Sequence, residues 1–413
     1  MSAPAKGALP REIVIVDGAR TPMTEWIGGK RGDGKPGGAL ASVTAIDLGA
    51  IAAKAALERS GVPAEAVDHV IMGNAMQTSG DAIYGARHVG LKAGVPKHVP
   101  ALTVNRLCGS GIQAIVSGAQ LVLLDEAKVV LAGGMENMSQ APHVLRGSRL
   151  GYRLGQEPKL EDSLWVALTD SNCGFMMAQT SDNLARKYGI SREAQDDYAM
   201  RSHTAGTAAT QSGRFQEEIV PVPLPQRKGD PILVTADDHF VPNPSREALA
   251  KLPAHFGPES TVTAGNASGV VDGAAAVVLM GADEARARGL SPRGSILSWG
   301  YVGVEPSEMG IGPAPAIRAA LGRIGLAIEQ VDLFEINEAF SGQYLAVEKE
   351  LGIERDKVNV NGGAIALGHP LGATGTRLVY TLLVELRKRG QSLGVASACI
   401  GGGQGIAIVV RAT

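Results

Sequence analysis

Apolar residues along the chain follow two rhythms. "EIVIVDGART", residues 12 to 21, opens with an unbroken apolar run that predicts a buried strand. "AIDLGAIAAKAALERSG" predicts a helix closed by Gly61, and "VDHVIMGNAMQ" the next strand. Beyond Cys108, the residues Ile112, Ile115, Val116, Ala119, Val122 and Leu123 fall at helical spacing. "KVVLAGGMENMS" then predicts a strand ending in a glycine pair.

The last third repeats this grammar. "GHPLGATG" predicts a glycine turn ahead of a helix with Leu378, Val379, Leu382, Leu383 and Leu386 on one face. Arg387, Lys388 and Arg389 fill its last turn and Gly390 suits the C′ position. "LGVASACIGGGQG" predicts a strand ending in glycines. Each half thus presents a glycine turn, an amphipathic helix and a strand with a Gly-Gly end, so a duplicated α/β unit is expected. Residues 144–249 break the pattern with "RGSRLGYRLGQEPKLEDSLW", helical "SDNLARKYG" and "SREAQDDYAMRSHTAGTAA", and proline-rich "VPVPLPQRKGDP". A long irregular stretch in a compact protein is usually functional, and this one is expected to be an inserted lid or loop domain.

Composition narrows the classes. Of 413 residues, 45% are hydrophobic and 19% charged, a globular balance that excludes disorder. A net charge of -2 gives no electrostatic footprint for nucleic acid. The cysteines Cys108, Cys173 and Cys399 form no CxxC and cannot all pair, which argues against a disulfide framework or structural zinc. A reducing compartment is expected. The N-terminal segment has no secretory or transit pattern, and no apolar stretch reaches membrane-spanning length, so cytoplasmic localisation is expected.

Four segments carry candidate chemistry. In "NRLCGSGIQA", Cys108 precedes a helix, where the dipole and free N–H groups favour the thiolate; the alternative is a small buried hydrophobe. The same stretch matches G-x-G-x-x-A, but the acid that a dinucleotide site needs is missing from its strand end. His369 sits between glycine and proline in "NGGAIALGHPLGATG", where the backbone can aim an imidazole that titrates near neutrality, or where it merely braces a loop. Cys399 precedes three glycines whose N–H groups could form an oxyanion nest. Asn337 in "FEINEAFSG" could hold a water or a carbonyl, or serve as a turn or cap residue.

In order along the chain, "NRLCGSG", "GGMENMS", "TVTAGNASGVVDGAAA", "MGIGP", "NEAF", "GGAIALGHPLGATG" and "CIGGGQG" resemble the thiolases, acetyl-CoA acetyltransferases and 3-ketoacyl-CoA thiolases. The resemblance implies a duplicated αβαβα five-layered α/β fold. Residues 1–143 with 250–292 would form the N-terminal half, 144–249 the inserted loop domain, and 293–413 the C-terminal half. It implies an acyl-CoA C-acyltransferase that condenses two acetyl-CoA and cleaves short-chain 3-ketoacyl-CoA. Cys108 would be the acylated nucleophile and His369 its base. Cys399 would move the α-proton. Asn337 would hold a water that forms one oxyanion hole with His369, and the N–H groups of Cys108 and Gly401 would form the other. Ser268 would contact the pantetheine arm, and Met177, Met309, Phe256 and Phe340 would line the acyl or pantetheine pocket. Coenzyme A would be substrate and product, with no metal and no permanently bound cofactor. A homo-oligomer, dimer or dimer of dimers, is implied.

The chain departs from the family pattern in three places. Met176 stands where many short-chain members have histidine. Val241 and Ala248 stand where contacts to the nucleotide end of coenzyme A are expected, with Arg246 nearby as a substitute. The loop "EWIGGKRGDGKPGG" is longer than usual. Competing readings are a decarboxylating ketoacyl synthase, a non-catalytic lipid carrier and a dehydrogenase. Two cysteines with one histidine speak for the thiolase chemistry.

Overall fold

A computed structural model describes residues 9–26, 38–257 and 259–413; the long loop singled out above falls mostly on 27–37, outside the described residues. The first half contains β1 (Ile13–Arg20), α1 (Ala45–Ser60), β2 (His69–Gly73), α2 (Gly85–Lys92), β3 (Ala101–Val104), α3 (Ser110–Leu123) and β4 (Val129–Glu136). Within the expected insert lie α4 (Met177–Tyr188) and α5 (Arg192–Gln211), followed by β5 (Val271–Gly281). The second half contains β6 (Gly294–Gly303), α6 (Pro313–Arg323), β7 (Leu333–Ile336), α7 (Ser341–Leu351), α8 (Leu371–Arg389), β8 (Leu393–Ile400) and β9 (Gln404–Ala412).

The strands run in the order β7-β8-β9-β6-β1-β5-β4-β2-β3, joined between halves by the antiparallel pairing of Ile13–Ile15 with Gly294–Ile296. Outward from this junction the two halves match. β1 pairs antiparallel with β5, β5 antiparallel with β4, and β4 parallel with β2; β6, β9, β8 and β7 repeat that sequence of directions. The counterpart of β3 is reduced to one parallel bridge between Phe334 and Val358. The duplicated unit expected from the sequence is therefore present in the topology.

Strand alternation explains the unbroken apolar runs. Ile13 and Ile15 face a central core with α3 and α8, whereas Val14 and Val16 face an outer core with α1 and α2. A third core packs α6 and α7 against the far face of the second half, through Ile317, Tyr344, Phe334 and Val395. Helix, sheet, helix, sheet, helix gives the five-layered αβαβα order. Helix boundaries follow local chemistry: Thr44 Oγ accepts the Asp47 N–H at 3.1 Å at the start of α1, and Gly61 closes it in the left-handed region at φ +68°.

Two boundaries differ from expectation for the same reason. α8 begins at Leu371, so Gly372 and Gly375 lie inside the helix rather than in a turn before it. β4 continues to Glu136, so the pair Gly133-Gly134 lies within the strand. These glycines are spaces for backbone. A Cβ on Gly134 would strike the Gly372 carbonyl, one on Gly111 the Thr376 backbone nitrogen, and one on Gly375 the Ile112 nitrogen. The two central helices, one from each half, thus cross with their main chains in contact.

The segment between β4 and β5 is tied back by buried charge. Arg20 on β1 meets Glu218 at 3.0 Å and Asp237 at 2.7 Å, with all three side chains fully buried.

Replacing Gly111 with Ala tests the crossing. Backbone cannot move aside as a flexible side chain can, so we expect a loss of at least about 2 kcal/mol, read as a lower urea midpoint. Ser117→Ala, on the same helix and partner only to Gln113, should shift it far less.

Candidate active site

The segments that follow the parallel strands of both halves meet at the start of α8: Glu136 at the end of β4 accepts the Gly372 N–H at 2.9 Å, and Asn337 after β7 reaches His369. Cys108 lies in a tight turn, Leu107–Gly109, that leads directly into α3. Leu107 is held at φ +47°, a left-handed conformation that side chains rarely adopt. Three polar contacts enforce it. The Leu107 N–H donates to Asn105 Oδ1 at 2.9 Å, and Ser110 Oγ donates to the Leu107 carbonyl at 2.7 Å while accepting the Arg106 N–H at 2.9 Å. Such strain, about 1–3 kcal/mol, persists only where the surroundings over-determine it.

Helix position alone predicted a thiolate at Cys108; the structure corrects this. Burial pushes the thiol up to about 11, and Glu136 nearby adds to the effect. The N–H groups of Gly401 and of Cys108 itself pull the other way without overcoming burial. The resting group is a thiol with two backbone donors beside it, and it needs a base.

His369 supplies the geometry of one. Gly368 ahead of it sits at φ +86°, and its Cα packs so tightly on Val271 that no Cβ fits. The His369 N–H donates to the Gly269 carbonyl at 3.0 Å. Its ring Nδ1 lies 2.6 Å from Thr374 Oγ1, which is 3.0 Å from the Pro370 carbonyl, and its Nε2 lies 3.3 Å from Asn337 Nδ2. One assignment satisfies this chain: Nδ1–H donates to Thr374, Thr374 donates to Pro370, and Asn337 donates to a bare Nε2. Burial, helped by the charge of Arg377, lowers the imidazole to about 3, so it is neutral at physiological pH and Nε2 can accept a proton.

Asn337 follows β7, is fully buried, and donates its backbone N–H to the Ser397 carbonyl at 2.9 Å. Its Oδ1 has no partner among the described residues, leaving an acceptor open to a ligand or a water. Cys399, near the end of β8, is also fully buried; burial first and the neighbouring Cys108 second push its thiol upward. Gly401 is buried just beyond, with Leu107 and Met177 against its Cα. The structure therefore brings Cys108, Cys399 and Gly401 together and sets His369 beside Asn337, each group at the start of one of the two crossing helices or at a neighbouring strand end.

A cavity of about 210 Å3 opens beside His369, lined with it by Ser268, Met177, Phe256 and Phe340 among other residues. Met309 lies one layer behind, packed with Ala339 and Cys399 against Met177 and Phe340. The loop around Ser268 is stitched to the loop after Asn337, with the Ser268 N–H donating to the Ala339 carbonyl at 3.0 Å. Met176 lines the same cavity, so the departure at that position bears directly on its shape. Arg246 does not reach it. Its guanidinium is 2.6 Å from Asp197, while Val241 and Ala248 line a separate cavity with His203 and His239.

Sequence reasoning missed Thr374, which orients the imidazole, and the apolar wall of Met138, Leu164, Trp165, Leu168 and Leu371. Thr374 was findable as the hydroxyl one turn beyond His369. The wall was not, because Leu164 and Trp165 sit in a stretch without periodicity. The G-x-G-x-x-A reading also resolves: Gly109 packs on Ile400 and Ile406, and Gly111 on α8, so neither faces a nucleotide.

The chain resembles known proteins along nearly its whole length. The chain matches the family description "Thiolase, N-terminal domain" over residues 13–283 and "Thiolase, C-terminal domain" over 290–412. It is 50% identical to the human mitochondrial 3-ketoacyl-CoA thiolase over 406 residues, 98% of this chain and 100% of that one. It is 48% identical to an acetyl-CoA acetyltransferase of Cupriavidus necator over 401 residues, 97% of this chain and 99% of that one. The crystal structure of human mitochondrial 3-ketoacyl-CoA thiolase in complex with CoA superposes with a TM-score of 0.94 at 49% identity, covering 99% of this chain and 100% of that one. The Bacillus anthracis acetyl-CoA acetyltransferase gives 0.93 at 42%, covering 98% and 100%.

The hydrogen-bond chain makes two measurable claims. Ring NMR should show His369 as the Nδ1–H tautomer with no titration between pH 5.5 and 8, since its pKa is lowered to about 3. Thr374→Val, which removes the orienting oxygen, should lower kcat for acetoacetyl-CoA cleavage at least about 10-fold with little change in KM, while Thr374→Ser retains most activity.

Proposed function

Because the chain belongs to the thiolase family along both of its halves, and is an acyl-CoA C-acyltransferase, we propose how its own residues carry the reaction. The observation that supports the assignment best is a neutral, oriented imidazole, a strained cysteine turn and a second buried cysteine beside one apolar cavity. Cleavage begins when Cys108 gives its proton to His369 Nε2. The thiolate attacks the 3-keto carbon of the acyl-CoA, and the N–H groups of Cys108 and Gly401 stabilise the tetrahedral oxyanion. The bond between C2 and C3 then breaks, leaving an acyl thioester on Cys108 and the enolate of acetyl-CoA. Protonated His369 and a water held by Asn337 stabilise that enolate oxygen, and Cys399 returns a proton to C2. Free CoA then gives its thiol proton to the Cys399 thiolate and attacks the acyl-Cys108 thioester; the shortened acyl-CoA leaves, and the freed Cys108 thiolate takes its proton back from His369. Run backwards, the same steps condense two acetyl-CoA.

Splitting the reaction at a covalent intermediate gives ping-pong kinetics. Burial serves this scheme because the resting groups are uncharged, and charge forms only where donors already point. Ser268 and Phe256 would meet the pantetheine arm, and Met177, Met309 and Phe340 the acyl group. Both relative classes, 3-ketoacyl-CoA thiolase and acetyl-CoA acetyltransferase, fit these roles. Coenzyme A enters as substrate and product, with no permanently bound group required.

The wider context is part of the same proposal. We divide the chain into an N-terminal half of residues 1–143 with 250–292, an inserted lid of 144–249 and a C-terminal half of 293–413. No helix of the described residues is long and apolar enough to cross a membrane. Three free thiols suit a reducing compartment, and we place the enzyme in the cytoplasm. The edge strand β3 with exposed Leu102, and exposed Leu150, Leu154 and Leu160 in the insert, suit a homodimer or a dimer of dimers.

Intact mass after incubation with acetoacetyl-CoA tests the chemistry. One added acetyl group should appear on the native enzyme and be absent from Cys108→Ala; no adduct with acetoacetyl-CoA or longer substrates overturns the assignment. Asn337→Ala should keep the adduct yet slow turnover about 100- to 1,000-fold, the usual loss for one oxyanion contact.

A further inference from the structure

Glu136 closes β4 and is fully buried, yet the steps above do not use it. Its Oε1 accepts Asn74 Nδ2–H at 2.9 Å and the Met76 N–H at 3.0 Å; its Oε2 accepts the Ala75 N–H at 3.0 Å and the Gly372 N–H at 2.9 Å. Three of these donors come from the turn after β2. The fourth belongs to the first turn of α8, just beyond His369 and in the other half of the molecule.

The turn after β2 is in turn fastened to the cysteine segment. Asn105 Nδ2 donates to the Ala75 carbonyl at 3.0 Å, and the Asn74 N–H to the Val104 carbonyl at 3.1 Å. One carboxylate therefore grips the chain that carries the thiol and the chain that carries the imidazole. Every one of its partners donates and none accepts, so the ionised form is the one that fits. Burial opposes ionisation and pushes the group up to about 7, with the backbone donors pulling down and Asp272 pushing up. The ionisable groups on the elements packed around it are Cys108 ahead of α3, Asp272 on β5 and His369 ahead of α8. No cation pairs with Glu136 among the described residues.

We propose that Glu136 is a positioning residue for acyl transfer: its carboxylate pins the start of α8, and hence His369, to the Cys108 turn. Its charge also adds to the burial that keeps Cys108 a thiol. The proposal rests on the thiolase reading of the site. Its consequence is a pH dependence with a definite sign. The carboxylate is the gripping form and exists above its pKa, so kcat should fall as pH drops through about 7 although His369 stays neutral throughout.

Glu136→Gln in the full-length enzyme separates the two effects. Gln keeps the volume, loses the charge, and turns an amide N–H toward donors that the carboxylate accepted. Alkylation of Cys108 by iodoacetamide, followed at its own peptide, should have a pH midpoint lower by about half a unit or more once the repelling charge is gone. Thiolysis of acetoacetyl-CoA at pH 8 should lose about 10-fold or more in kcat with KM nearly unchanged, and the acid limb near pH 7 should vanish. Asn74→Ala keeps the charge but removes one donor, so its acid limb should move to higher pH with activity recovered above it. This variant also decides the matter if Glu136→Gln does not fold. An unmoved alkylation midpoint and acid limb in folded Glu136→Gln, or an unmoved limb in Asn74→Ala, overturns the proposal. Failure of the native enzyme to form an acyl adduct would instead overturn the thiolase chemistry, which the alkylation profile does not require.

Discussion

Main-chain contact between α3 and α8, at Gly111 and Gly375, sets the geometry on which the rest of the molecule depends. Each helix carries one chemical group just ahead of its first turn, Cys108 on one and His369 on the other. Side chains at a helix crossing normally hold axes 8–10 Å apart and can rearrange. Removing them lets backbone define the separation, so the thiol and the imidazole stand at a distance fixed by the two least deformable parts of the chain. The contact of Gly134 with the Gly372 carbonyl adds a second fixed point on the strand side. Catalytic groups displaced by 1 Å can lose a large share of their rate, and this crossing guards against that.

Burial does the electrostatic part of the work and imposes its own cost. It keeps both cysteines protonated and the histidine neutral, so none of these three reacting groups is charged at rest. The same low-dielectric interior contains charged side chains that need partners. Glu338, beside Asn337, accepts Tyr198 Oη and Ser202 Oγ at 2.7 Å, Asn359 Nδ2 at 2.9 Å and the Ile365 N–H at 3.1 Å. That set fixes the loop of Asn337 to the inserted helix α5 and to the turn before His369. Arg377 meets Glu335 at 2.9 Å, and its charge reinforces the lowered pKa of His369. Buried pairs of this kind contribute little net stability but discriminate strongly between arrangements. Here they select the one arrangement in which three loops converge.

The fold and the reacting groups were legible because their signals are local. Apolar periodicity marked α1, α3 and α8, and glycine framing marked Cys108, His369 and Cys399 before any contact was known. What escaped was set by contacts distant in sequence. Gly372 and Gly375 read as turn residues, since nothing near them announces the partner helix some 260 residues away. The protonation of Cys108 was misjudged because its helix position is local, while its burial and the nearby charge of Glu136 arise only in the folded chain. Glu136 was passed over because the strand was expected to end at the glycine pair before it, whereas it runs on to that residue. Its four donors lie in two segments that no sequence pattern links to it.

Duplication explains why such a site could arise at all. Equivalent turns of the two halves meet around the crossing, and divergence has given them different tasks. Asn74 and Asn337 both follow the equivalent strands β2 and β7, yet one holds the Glu136 carboxylate and the other faces the imidazole. The segments ahead of α3 and α8 became thiol and base. The segment between β4 and β5 breaks the remaining symmetry: it supplies Trp165, Met176 and Met177 to the cavity wall, whereas β8 and β9, the counterparts of those strands, follow one another almost directly. A symmetric pair of units has no preferred face for a substrate. Placing one apolar cover over one side turns a junction between two halves into a cavity with a single orientation, which is what a long thioester needs if its carbonyl is to meet Cys108 and not its tail.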